Sequence, residues 1–150
     1  MDRVVRAPGD GVTTRHRERH AAAPSLARVQ APVRTRLDEV ERALRRIVAG
    51  DFDLVNEVGA YLLLMRGKLF RPTLLLLANE VGDRADPRAV PLAAVVELVH
   101  LATLVHDDAV DHSVLRRGMP TLNAVWSHQV AIIMGDYLYS RSVQELARRG

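Results

Sequence analysis

The chain of 150 residues fits one domain at most, and its hydrophobic content of 48% is enough for a packed core. It contains no cysteine, which excludes disulfide bonds, thiolate metal sites and cysteine nucleophiles and suits the reducing conditions of a cytoplasmic location. Aromatic residues make up only 4% while Leu, Ala and Val are frequent, so the composition favours helices. No transmembrane segment is predicted, because Glu97 and His100 interrupt the longest apolar run.

Positive charge is concentrated at the start of the chain. Residues 1–36 carry eight arginines and three acidic residues, a balance of +5, whereas the remaining residues carry 13 basic and 15 acidic residues, a balance of −2. The excess charge therefore belongs to a segment that is rich in Arg, Ala, Pro and Gly and has no apolar period. We predict a disordered basic tail over residues 1–32, a folded domain over residues 33–150, and no nucleic-acid-binding function.

The folded part begins with two helices that show no sign of chemistry. Apolar residues recur at three- and four-residue spacing from Val33 to about Ala49, which predicts an amphipathic helix with a charged outer face. Gly50 is the expected C-cap, and Asp51 or Asp53 the expected N-cap of a second helix that ends at about Met65. A third, buried helix is predicted over the apolar run that follows Pro72 and ends at Gly82.

Two cations precede this third helix. Gly67 breaks the preceding helix, and Lys68 and Arg71, three residues apart, are predicted to share a face of the first turn. Cations at a helix N-terminus are repelled by the positive end of the macrodipole. Their placement there becomes favourable when an anion binds between them. The alternative is a solvated helix start with ordinary surface charges, and these residues alone do not decide between the two.

The most apolar helix is predicted to start at Asp86-Pro87 and to be central in the domain. His100, Asp107 and Asp111 fall within roughly 40° of one another on it, and Asp108 lies about 100° around from Asp107. Carboxylates one turn apart near a helix C-terminus repel each other and the dipole, unless a divalent cation binds them. Mg²⁺ is the expected metal, since it takes hard oxygen ligands and shares them with phosphates and water; the alternative is a solvated helix end.

A predicted loop over 113–120 follows and carries Arg116 and Arg117 before Gly118. Adjacent arginines point in different directions, so this pair is suited to hold two anions or to flank one. The residues together describe a helical pocket with Mg²⁺ on one wall, cations on others and an apolar interior. Such a pocket suits a diphosphate that is attached to a hydrocarbon.

Four motifs carry a resemblance to a known family: Gly67-Lys68-x-x-Arg71-Pro72, Asp107-Asp108-Ala109-Val110-Asp111, Arg116-Arg117-Gly118-x-Pro120-Thr121 and Gly135-Asp136-Tyr137-Leu138. From about residue 33 to 150 the chain resembles the N-terminal half of trans-isoprenyl diphosphate synthases, the polyprenyl synthetase family. The resemblance implies an all-α isoprenoid-synthase fold, an antiparallel helical bundle around a central cavity, incomplete here at the C-terminus. It also implies a homodimer.

The resemblance further implies a role for each motif residue. Asp107 and Asp111 would bind Mg²⁺ with support from Asp108, and Arg116 would contact the allylic diphosphate; these four are the expected catalytic residues. The isopentenyl diphosphate would be held by four positions: Lys68, Arg71, His100 and Arg117. The implied reaction is ionisation of the allylic diphosphate followed by attack of isopentenyl diphosphate on the carbocation.

Product length is predicted from two small residues. Bulky residues just before the aspartate motif close the chain tunnel in this family, and the corresponding positions here are Ala102 and Thr103. We therefore expect a medium- or long-chain polyprenyl diphosphate.

The sequence departs from the family pattern in three places. Arg66 occupies a common glycine position, and Leu69-Phe70 replaces a more basic pair. The 150 residues end before the family's second aspartate motif, so we expect a truncated form that is inactive alone. One alternative is a non-catalytic subunit of a heteromeric prenyl synthase. Another is a class I terpene cyclase, which is less favoured because such an enzyme needs no second diphosphate site.

Overall fold

The computed structural model describes residues 25–81 and 86–148, and within them the chain is almost entirely helical. In chain order the elements are α1 (Leu26–Gln30), a 3₁₀ turn (Ala31–Val33), α2 (Arg34–Val48), α3 (Asp53–Met65), α4 (Phe70–Glu80), α5 (Ala89–Val110), β1 (Leu115–Arg116), β2 (Met119–Pro120), α6 (Leu122–Val125) and α7 (His128–Ala147). The predicted all-α class is confirmed.

Helical structure starts earlier than predicted. Residues 25–32 were assigned to the disordered tail, yet α1 begins at Leu26, and the Ser25 side chain accepts a hydrogen bond from the Arg28 backbone N–H at 3.4 Å. The prediction was wrong here because this one-and-a-half-turn helix is too short to show an apolar period, and its anchor is a tertiary contact through Gln30. The rest of the predicted tail, residues 1–24, lies outside the described residues.

The predicted first two helices are confirmed as α2 and α3, but their caps differ. Ala49, not Gly50, is the C-cap of α2, and Asp53 is the first residue of α3, which has no side-chain cap. A Cβ on Gly50 would lie 2.9 Å from the Tyr137 hydroxyl oxygen, which contacts the Val48 and Ala49 carbonyls at 3.2 Å. Gly50 therefore permits a close approach of α7 and does not terminate a helix.

Helix α5 is the centre of the domain and packs against α2, α4 and α7. Four of its residues are fully shielded from solvent: Ala93, Ala94, Leu98 and Ala109. The helix is long and apolar enough to pass for a membrane span, a property that core helices share. Pro91 lies in its first turn, where a missing N–H costs nothing, and Asp86 closes the turn before it by accepting from the Arg88 N–H at 2.8 Å.

The predicted loop over 113–120 contains a small β-hairpin. Leu115 pairs with Pro120 and Arg116 with Met119 in antiparallel register. Arg117 and Gly118 form the two-residue turn with φ of 54° and 80°, as the type I′ turns of tight hairpins require. The hairpin thus fixes the backbone of both arginines next to the end of α5.

Candidate functional site

Two aspartates at the end of α5 face solvent and one is buried. Asp107 and Asp111 are exposed, and Asp111 caps the helix by donating its N–H to the Asp107 carbonyl at 2.8 Å. Asp108 is only 5% exposed. Two carboxylates therefore stand on the open face, and the third faces the protein.

Asp108 is bound to Arg116 of the hairpin. The Nε of Arg116 donates to Oδ2 of Asp108 at 2.7 Å, and this bond, supported by the charge of the same carboxylate, raises the pKa of the guanidinium. The second carboxylate oxygen, Oδ1, is buried without a hydrogen-bond partner among the described residues. Asp108 therefore holds Arg116 beside the exposed aspartates.

The oxygen atoms of the aspartates determine which kind of metal ion this end of α5 could bind. No group of three or more His, Asp or Glu side chains in the described ranges 25–81 and 86–148 is gathered closely enough to hold a metal ion. Asp107 and Asp111 nevertheless offer hard oxygen donors on an open face. This incomplete set fits an ion such as Mg²⁺, which keeps several waters and takes phosphate oxygens, and does not fit a closed protein cage.

The two cations that precede α4 are not arranged as predicted. The helix begins at Phe70 with Leu69 as its N-cap, so Lys68 lies outside it and only Arg71 is in its first turn. The argument that both share a helix face was wrong, because the left-handed Leu69 turns the chain just after Lys68. Both side chains are exposed, and neither forms a hydrogen bond or ion pair with the part of the chain that the structure describes.

Arg117 links the hairpin to the turn between α3 and α4. Its Nη1 donates to the Met65 carbonyl at 3.4 Å, and a Cβ on Gly67 would lie 2.5 Å from that nitrogen. The glycine thus makes room for the guanidinium, a role that the sequence analysis did not foresee. The expected divergence of the two arginines is confirmed, since Arg116 reaches Asp108 while Arg117 reaches Gly67.

A buried carboxylate behind these cations was missed by the sequence analysis. Glu97 is 3% exposed, and its Oε2 has no hydrogen-bond partner among the described residues. Burial raises its pKa, although the charges of Arg71, Arg117 and Arg66 act in the opposite direction. The available signal was an acid on an apolar helix, one turn before His100; it was used only to exclude a membrane span.

His100 is partly buried on α5 and lies within the field of the same arginines. Burial lowers its pKa most, the charges of Arg71, Arg117 and Arg116 lower it further, and Asp107 alone raises it. The structure therefore gathers His100, Arg71 and Arg117 in one electrostatic environment.

The two predicted chain-length residues have different surroundings. Ala102 is 2% exposed and belongs to the buried core, whereas Thr103 is exposed and donates its hydroxyl to the His100 carbonyl at 2.7 Å. Of the two, Thr103 is the one at a surface that a ligand can reach in this structure.

The fourth motif has a packing role. A Cβ on Gly135 would collide with the His106 ring, and His106 Nε2 lies 3.3 Å from both the Ile132 carbonyl and an Asp136 carboxylate oxygen. Gly135 thus lets α7 approach α5 at the level of the aspartates. His106 therefore contacts α7.

Comparison with known proteins gives a consistent match. The family model for polyprenyl synthetase matches residues 52–149. The chain is 38% identical over 112 residues to heptaprenyl diphosphate synthase component 2 of Bacillus subtilis, covering 75% of this chain and 32% of the relative. It is also 38% identical over 121 residues to nonaprenyl diphosphate synthase of Mycobacterium tuberculosis, covering 80% and 36%.

Solved structures agree. The fold matches a decaprenyl diphosphate synthase from Rhodobacter capsulatus with a TM-score of 0.76 and 36% identity, covering 81% of this chain and 38% of the other. It matches a Caulobacter crescentus polyprenyl synthase, solved with calcium and isoprenyl diphosphate, with a TM-score of 0.78 and 28% identity, covering 83% and 38%. The chain spans about a third of the length of these relatives. It belongs to the polyprenyl synthetase family.

Proposed function

We propose that the chain supplies the diphosphate-binding wall of a Mg²⁺-dependent prenyltransferase that joins an allylic diphosphate to isopentenyl diphosphate. The observation that carries this proposal is the arrangement along α5. Exposed carboxylates stand at its end, and His100, about two turns before Asp107, lies in the field of Arg71 and Arg117. The carboxylates suit a diphosphate that is bound through a metal ion. The neighbouring cationic side chains suit a second diphosphate.

The acidic end is proposed to hold the allylic substrate. Asp107 and Asp111 would hold Mg²⁺, which neutralises charge on the departing diphosphate when it is bound. Arg116 already has one N–H committed to Asp108, so its remaining donors are oriented for an anion beside the aspartates. Holding these charges in place before the C–O bond breaks lowers the cost of the developing negative charge.

The basic region is proposed to hold isopentenyl diphosphate. Lys68 and Arg71 have no hydrogen-bond or ion-pair partner within the described residues, and Arg117 donates a single long hydrogen bond there, to the Met65 carbonyl at 3.4 Å, so their charge is available to a ligand. His100 lies in the field of Arg71 and Arg117 and would donate a hydrogen bond to the same anion. The positive charges of these side chains repel one another when no anion is present, and a bound diphosphate removes that cost.

The relatives support a medium or long product, since those reported above are named heptaprenyl, nonaprenyl and decaprenyl synthases. The small, exposed Thr103 agrees with this proposal. A second candidate is a subunit of a heteromeric synthase, which two relatives named heptaprenyl diphosphate synthase component 2 favour. A homodimer remains part of the first proposal.

The test is binding and turnover by the 150-residue chain. We expect it to bind an allylic diphosphate in a Mg²⁺-dependent manner and isopentenyl diphosphate without Mg²⁺, but to form no product when incubated with an allylic diphosphate, labelled isopentenyl diphosphate and Mg²⁺ together. Asp107→Asn should abolish the Mg²⁺ dependence. Asp51→Asn, at an exposed aspartate away from the site, is the matched control. Mg²⁺-independent binding of the allylic substrate, or turnover by the isolated chain, would contradict the proposal.

A further inference from the structure

The short helix α1 lies before the segment that matches the family model, yet its last residue reaches the proposed anion site. The side-chain amide of Gln30 donates to the Lys68 carbonyl at 2.8 Å and to the Thr73 hydroxyl oxygen at 2.9 Å. One amide hydrogen is thereby used on the turn between α3 and α4, and the other on the first turn of α4. The partners are 38 and 43 residues away in sequence, so these bonds are tertiary contacts and not local capping.

Thr73 extends this contact to the next carbonyl of the turn. Its hydroxyl donates to the Leu69 carbonyl at 2.7 Å, and its backbone N–H donates to the same oxygen at 2.9 Å. Thr73 is fully buried and Leu69 is 6% exposed. Gln30 and Thr73 therefore fix two consecutive carbonyls, those of Lys68 and Leu69.

The turn needs such support because its backbone is strained. Leu69 has φ 51° and ψ 42°, a left-handed conformation that costs a residue with a Cβ about 1–2 kcal/mol. A glycine would remove this cost, but the chain has a leucine whose side chain is buried in the core. Without the bonds from Gln30, the left-handed conformation would have fewer interactions to oppose relaxation of the turn.

Relaxation would move the cations of the site. The Lys68 side chain has no partner within the described residues, so its position depends on the backbone that carries it. The neighbouring Gly67 packs against the guanidinium of Arg117, which therefore follows the turn. A shift of this turn thus changes the spacing of two charges that are proposed to bind one diphosphate.

We propose that Gln30 is a positioning residue that locks the 67–69 turn and thereby sets the geometry of the isopentenyl diphosphate site. This inference rests on the function proposed above. It assigns to α1, which lies outside the family match, a role in binding isopentenyl diphosphate. The end of α5 does not share this role.

The test compares Gln30→Ala with Gln144→Ala, an exposed glutamine on α7 whose side chain accepts one hydrogen bond, from Arg141. Isothermal titration of the 150-residue chain measures the affinity for isopentenyl diphosphate and, separately, for a Mg²⁺–allylic diphosphate. We expect Gln30→Ala to weaken isopentenyl diphosphate binding roughly tenfold, which is about 1.4 kcal/mol, and to change allylic binding less than about twofold. Gln144→Ala should leave both affinities unchanged.

A second variant guards against loss of folding. Thr73→Val keeps the buried volume but removes the hydroxyl that joins Gln30 to Leu69, and the same selective loss is expected. The inference is overturned if Gln30→Ala lowers the melting temperature with both affinities intact, or if both affinities fall together. If the unaltered chain binds neither diphosphate, the proposed function itself fails, which is a different result.

Discussion

The ion pair between Asp108 and Arg116 provides a direct test of how the hairpin is attached to α5. Arg116→Ala removes a bond of 2.7 Å to a carboxylate that is 7% exposed, and it leaves both oxygens of Asp108 unpaired. A charge-assisted hydrogen bond contributes about 1.5–3 kcal/mol. Because the arginine side chain is 31% exposed and partly screened by water, the lower part of that range applies, about 1.5 kcal/mol.

A double-mutant cycle isolates this contribution. Urea unfolding of Arg116→Ala, Asp108→Asn and the double variant should give a coupling energy of about 1–2 kcal/mol. Arg45→Ala is the matched control, because its partner Glu41 is 3.9 Å away and the Arg45 side chain is exposed to solvent; we expect a change within about 0.5 kcal/mol. Additive effects of the two site substitutions would refute the view that Asp108 holds Arg116 in place.

Three further predictions follow from the site. Gly67→Ala places a methyl group against the flexible end of Arg117, so isopentenyl diphosphate affinity should fall roughly tenfold with little change in melting temperature; equal affinity would contradict the contact. Burial raises the pKa of Glu97 in the folded chain, so the free energy of unfolding should fall as pH rises above about 4.5. Glu97→Gln should therefore stabilise the chain at about pH 7 but not at about pH 3.5, as measured by urea unfolding at both pH values. Thr103→Phe should shorten the product in a form of the chain that turns over, as judged by chromatography, whereas Ala102→Phe should mainly destabilise the core.

Regular, local patterns were sufficient for the main helices. The apolar spacing from Val33 onward predicted α2 closely, and the alignment of His100 with Asp107 and Asp111 follows from helix geometry alone. The adjacency of Arg116 and Arg117 predicted that their side chains point in different directions, as they do. Each of these depends on neighbours within a few turns, which the sequence displays directly.

The features that were missed depend on distant contacts or on unusual backbone. Strands of two residues are too short to form a pattern, and positive φ at Leu69 and Arg117 is unfavourable for residues with a Cβ, so neither position is suggested by its residue type. The link from Gln30 to Lys68 joins residues that are 38 positions apart. No local rule relates such side chains, and only the assembled fold brings them together.

The continuity of α5 has a consequence for repeated addition of isoprene units. His100 and Asp107 are seven residues apart on one unbroken helix, which corresponds to about 10 Å along its axis. In the proposed reaction α5 holds the two diphosphates at a fixed distance from each other. That distance does not depend on the hydrocarbon that is attached to either diphosphate. Every round of elongation would then meet the same separation of reacting ends, while the growing tail extends elsewhere.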